Sequence, residues 1–171
     1  SLEANGKTLK PFITDNFVEP TNENKKLPKE NGLDSVRSDI DAQNILPLSY
    51  ISEVEPNNTS STAMAVNIGT VSGSASAEFD RDWYMVSLEA NKEYTVSLKG
   101  IQQGDDIDLV VYNSSLSSVG YSNSSGQSDE TVTFTTTTAE YYYIFNYCYT
   151  YGTSNTHDYQ LLIYPNDKAA D

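Results

Sequence analysis

The sequence has one cysteine, Cys148, one histidine, His157, and few basic residues, and each shortage closes off a class of function. Without a second cysteine no disulfide forms within the chain, so a secreted domain of this kind needs a sizeable core or a bound metal for stability. Cys148 stands inside an aromatic run, where a free cysteine reads as a small buried hydrophobe. His157 has no second His or Cys beside it, which leaves zinc without its usual ligands and a serine-hydrolase triad with a single candidate base. No Gly-x-Ser-x-Gly elbow, phosphate-cradling glycine loop or His-Glu-x-x-His motif occurs. Acidic residues are abundant, but abundance is not placement, and the chain reads as non-catalytic. No run approaches the ~18 apolar residues of a membrane span.

The charge is one-sided. Ten Lys and Arg stand against 24 Asp and Glu, for a net charge of −14. Residues 1–50 hold six basic against eight acidic side chains, and residues 51–171 hold four against sixteen. Nucleic acid requires basic side chains that displace phosphate counterions, and an anionic membrane surface would repel this chain, so both are excluded as partners. Bound cations are one way to relieve such self-repulsion.

From residue 60 onward the apolar residues recur with period two. Tyr84, Val86 and Leu88 are followed by a Glu89–Lys92 turn and then by Tyr94, Val96 and Leu98, which reads as an antiparallel hairpin. Leu109 and Val111, Val132 and Phe134, and Tyr159, Leu161 and Ile163 supply further inward sets. On the longest strand, Tyr141, Tyr143, Phe145 and Tyr147 are read as the inward face. Short strands, polar turns and no internal repeat predict an all-β, antiparallel, jelly-roll-like β-sandwich over 50–165. Residues 1–49 read as a mostly flexible linker, with turns at Asn5-Gly6 and Asn31-Gly32 and a short helix near 33–46. Residues 166–171 form a tail.

Two stretches carry the chemistry. Glu53-Val54-Glu55-Pro56-Asn57-Asn58 gathers carboxylate and amide oxygens, and in an extended chain Glu53, Glu55 and Asn57 point the same way. Asp80-Arg81-Asp82-Trp83-Tyr84 follows, with Asp80 and Asp82 on one face. Oxygen ligands without nearby His or Cys suit a hard cation, usually Ca²⁺. Asp105, Asp106 and Asp108 form a second acidic group, read as loop caps that bond backbone N–H groups.

The pattern Glu-x-Glu-Pro-Asn-Asn-Thr, then Gly73-Ser74, then Asp-x-Asp-Trp-Tyr, resembles the bacterial pre-peptidase C-terminal domain, a group that includes the collagen-binding domains of clostridial collagenases. Asp106 to Tyr112, Tyr141 to Ile144 and Tyr159 to Ile163 agree with it. The resemblance implies a β-sandwich that binds Ca²⁺ through Glu53, Glu55, Asn57, Asn58 and Asp82, with a backbone oxygen near Ser74. The family's second aspartate falls at Phe79 here, so Asp80 or Glu78 is the substitute. In the collagen-binding relatives, exposed aromatics align to Asn146, Cys148 and Tyr121, and only Tyr121 is aromatic in this chain.

The remaining tyrosines supply the candidate ligand surface, since Tyr joins a flat apolar face to a polar tip. Tyr121, Tyr142, Tyr149 and Tyr151 are the expected exposed set. The chain thus reads as a monomeric, secreted, calcium-binding accessory module for an extracellular matrix protein or polysaccharide. The alternative is a domain that assists secretion or processing of an attached or cognate protease and is removed on maturation.

Overall fold

The structure, a computed structural model, describes residues 48–166 and a two-strand hairpin, β1 (Glu3–Ala4) and β2 (Lys7–Thr8), which flanks Asn5-Gly6. The helix expected near 33–46 lies outside the described residues.

Ten further strands follow: β3 (Ser49–Ser52), β4 (Met64–Val66), β5 (Gly69–Ser74), β6 (Arg81–Leu88), β7 (Glu93–Lys99), β8 (Asp106–Tyr112), β9 (Ser118–Ser122), β10 (Glu130–Thr135), β11 (Glu140–Thr150) and β12 (Asp158–Pro165). They form two five-stranded sheets, ordered β10-β7-β12-β5-β3 and β4-β6-β11-β8-β9. Pairing is antiparallel except at two edges, where β3 runs parallel to β5 and β4 parallel to β6. Val71, Val96, Leu98, Leu161 and Ile163 of the first sheet close on Val86, Leu109, Val111 and Ile144 of the second, which gives the expected sandwich.

Two local expectations are corrected. β6 and β7 are not a hairpin: β6 pairs with β4 and β11, while β7 pairs with β10 and β12 in the opposite sheet. Both have the alternation of a half-buried strand, and alternation says which face is inward but not which strand is the neighbour. The short connection crosses between sheets, with Asn91 at φ 57° and Thr136 accepting from Lys92 N and donating to Glu89 O.

The faces of β11 are also reversed. Tyr142, Ile144 and Cys148 enter the inter-sheet core, where the Tyr142 ring lies 5.5 Å from that of Phe134. Tyr142 is 3% exposed and is therefore not a surface tyrosine. Tyr141, Tyr143, Phe145 and Tyr147 lie on the outer side of the sheet with Trp83, Met85 and Tyr112. There they bury one another: the Trp83 ring stacks on Phe145 at 4.5 Å and on Tyr112 at 5.5 Å. Between its two ends both parities of this strand are apolar or aromatic, so its period-two signal is weak, and the one strongly polar residue there, Asn146, points inward.

The corrected register predicts that Tyr142→Ala lowers the unfolding free energy by about 3–5 kcal/mol, as loss of a core aromatic does. Tyr141→Ala, on the half-buried outer side, should lose clearly less. Urea melts of the two variants provide the check.

Candidate metal centre

The site forms where the two sheets end together. Glu53 follows β3, whose parallel pairing with β5 continues through Glu53 N to Ser72 O at 2.8 Å. That places its carboxylate beside the last residue of β5, and Ser74 N donates to Glu53 Oε2 at 2.9 Å. The chain then folds back on itself. Asn57 Nδ2 donates to Glu53 Oε1 and Asn57 N to Glu55 Oε2, each at 2.9 Å. Trp83 N donates to Asn57 O at 2.9 Å and ties this loop to β6, beside Asp82. Thr59 ends the loop by capping a 3-10 turn, Ser60–Thr62.

Asp82 and Tyr84 take successive inward positions at the start of β6. Tyr159 reaches them from the other sheet because its cross-strand partner is Gly73, where a Cβ would stand 2.6 Å from the phenol oxygen. Tyr84 Oη donates to Glu53 Oε1 at 2.6 Å, Tyr159 Oη donates to Asp82 Oδ2 at 2.7 Å, and the two phenol oxygens are 2.6 Å apart. With both phenols donating to carboxylates, the close Tyr84–Tyr159 contact is left without a proton of its own. Burial first, and then the neighbouring Glu53 charge, push the Asp82 carboxyl up to about 9. Burial likewise raises the phenols of Tyr84 and Tyr159.

One carboxylate oxygen each from Glu53, Glu55 and Asp82 come within 4.8 Å of one another. Asn57 Oδ1 and Asp82 Oδ1 are buried here with no hydrogen-bond partner among the described residues. A buried oxygen left unmatched costs free energy that a cation would recover. Three carboxylates and neutral oxygens, with no nitrogen or sulfur donor in the group, fit a hard divalent cation such as Ca²⁺.

The other residues expected at the site divide. Asn58 lies at the exposed rim, where its amide nitrogen, in the orientation that satisfies both neighbours, donates to Glu55 Oε2 and Arg81 O at 3.2 Å. Asp80 turns both oxygens to backbone N–H groups, of Ser76 at 2.6 Å and Arg81 at 2.9 Å, and is not among the converging carboxylates. Tyr84, Tyr159 and Gly73 were not foreseen as parts of the site. Their signal was the Trp83-Tyr84 pair and the tyrosine that opens the last strand.

A neighbouring pair was also missed. His157 Nδ1 lies 2.9 Å from both oxygens of buried Asp105, and Tyr151 stacks on the imidazole at 3.6 Å. Asp105 also accepts from Gly152 N at 2.7 Å, a loop-fastening bond of the kind expected for this acidic group. Cys148 is buried, and its thiol is pushed up to about 12 by burial and nearby aspartates, which makes it unreactive at neutral pH.

Comparison with known proteins bears on the stretch that contains Asp82. Residues 80–144 match the bacterial pre-peptidase C-terminal domain. The family resemblance is thereby shown over residues 80–144, which include the Asp-x-Asp-Trp-Tyr motif. The pre-peptidase C-terminal match runs from the residue before β6 into β11; Glu53 to Asn58 precede it and Tyr159 follows it. Among solved structures, the pre-peptidase C-terminal domain of the Bacillus anthracis collagenase is 18% identical, with a TM-score of 0.49, over 66% of this chain and 100% of that one. A β-glucosidase from Paenibacillus barengoltzii is 13% identical, with a TM-score of 0.27, over 69% of this chain and 13% of its own. No curated protein matches.

The raised Asp82 carboxyl makes a signed prediction for the metal-free domain. Unfolded, the group ionises near 3.9; folded, it holds its proton to about 9. The favourable contribution is complete below about pH 4 and is lost as pH rises through about 9. Melts in EDTA across this range should therefore show falling stability for the unaltered chain and a flatter profile for Asp82→Asn.

Proposed function

We propose that this domain is a non-catalytic accessory module of a secreted bacterial protein, stabilised by Ca²⁺ and presenting an aromatic sheet face to an extracellular protein or polysaccharide. The observation that carries the calcium reading is the convergence of Glu53, Glu55 and Asp82 around buried, unmatched oxygens of Asn57 and Asp82. The cation would be held by those carboxylates and by Asn57, where it would supply the positive charge that the cluster lacks.

The binding reading rests on the outer side of the β4-β6-β11-β8-β9 sheet. Tyr121 of β9 pairs with Val110, which pairs with Phe145, which pairs with Trp83, so one row of apolar side chains crosses four strands. Tyr121 is 48% exposed at one end. Exposed Phe79 stacks on Tyr147 at 6.3 Å near the other, with Arg81 over the same ring. Tyr149 is half-buried and Tyr151 is exposed on the His157 loop. No helix among the described residues is long and apolar enough to cross a membrane.

The family description, a domain C-terminal to a peptidase, favours a second reading: an element that assists processing or secretion of an attached protease. A protease encoded in the same chain favours that role, and ligand retention by the isolated domain favours adhesion.

Calcium at a hundredfold excess over Kd should stabilise the fold by about 2.7 kcal/mol, which raises Tm by roughly 10 °C in differential scanning fluorimetry. Glu55→Gln should abolish most of that shift. Identical melts in EDTA and in millimolar Ca²⁺ would remove the calcium reading. Tyr121→Ala should weaken ligand retention by about 2 kcal/mol in a glycan and matrix-protein array, with Tm unchanged.

A further inference from the structure

Between Glu140 and Thr150 at its ends, β11 has one strongly polar residue, Asn146, and it is 1% exposed. Its inward neighbours along the strand are Ile144 and Cys148, and its partner on β8 is Leu109, all buried. Neither its amide nitrogen nor its amide oxygen has a hydrogen-bond partner among the described residues. Packing gives no reason for an amide here, because a leucine of the same branched shape would leave no polar atom unmatched.

The partner of Asn146 on the other side is Asp82. Residues directly opposed across an antiparallel pair share a face, with Cβ atoms about 5 Å apart. Asp82 Oδ1 is likewise buried and unmatched, as is Asn57 Oδ1 in the loop fastened to the next residue of β6. Unsatisfied buried polar atoms thus occur on Asp82, on its cross-strand partner Asn146 and on Asn57, next to the converging Glu53, Glu55 and Asp82 oxygens.

We propose that Asn146 is a further ligand of the cation and gives it a neutral amide oxygen from the core side of the site. The inference rests on the calcium reading. A Ca²⁺ ion takes six to eight oxygens, and three carboxylates already outweigh its charge, so a neutral oxygen adds coordination without adding repulsion. The residue is then kept at the expense of the metal-free fold.

That trade is testable by isothermal titration with Ca²⁺ beside melts in EDTA. Asn146→Leu should bind Ca²⁺ at least tenfold more weakly, yet melt in EDTA at or above the temperature of the unaltered chain. Asn146→Asp keeps the oxygen and should bind Ca²⁺ more tightly than Asn146→Leu, while melting lower in EDTA. Unchanged affinity in Asn146→Leu overturns the proposal, and Asn146→Ala gives the same reading if the leucine variant does not fold. Binding by Asn146→Asp no tighter than by Asn146→Leu also overturns it, because the oxygen at this position would then contribute nothing. Absence of binding by the unaltered chain instead removes the calcium reading itself.

Discussion

The buried Asp82 carboxyl, set beside half-buried Glu53 at one end of a sandwich, calls for a proton or a counter-charge, and that constraint organises the structure. Like charges in a medium of low polarisability repel strongly, so Asp82 near Glu53 must either hold a proton or face a cation. The proton solution is favoured by the burial of Asp82 and by the neighbouring Glu53 charge. The cation solution is offered by Glu55 and by the unmatched oxygens around it.

The Asp82–Tyr159–Tyr84–Glu53 row of contacts also explains how the sheets are held together at this end. Glu53 and Tyr159 extend from the first sheet, and Asp82 and Tyr84 from the second, so the site is a polar clasp over an apolar core. Next to it the Asp105–His157 pair fastens the β7–β8 and β11–β12 loops. These loops approach closely enough that a Cβ at Gly152 would meet the Gly104 backbone at 2.7 Å. Ala75 N donates to His157 O at 3.0 Å and joins the β5–β6 loop to the same group. The two groups meet at adjacent residues, since Ser74 N donates to Glu53 and Ala75 N to His157 O.

Much of this was legible in the sequence. The acidic loop and Asp82 were identified by residue type and spacing, and the inward sets of β6, β7, β8, β10 and β12 by period two. β11 was not, since a strand apolar on both faces carries little information about which one faces the core. The outer aromatics Trp83, Tyr143 and Phe145 bury one another, so burial and inward orientation came apart there. The β6–β7 misreading has a different cause: a tight turn between amphipathic strands fits a hairpin and a sheet-to-sheet crossing equally well. Tyr159 and Asn146 were hidden because their roles arise from residues distant in the chain, Gly73 and Asp82, that only the register brings opposite them.

The balance between proton and cation is most directly tested by titrating Ca²⁺ calorimetrically near pH 7 in buffers that differ in ionisation enthalpy. If the ion displaces the carboxyl proton, binding should release about one proton per ion, seen as a buffer-dependent heat. Calcium binding whose heat is the same in every buffer would contradict the account, since it would mean that Asp82 was already ionised before the ion arrived.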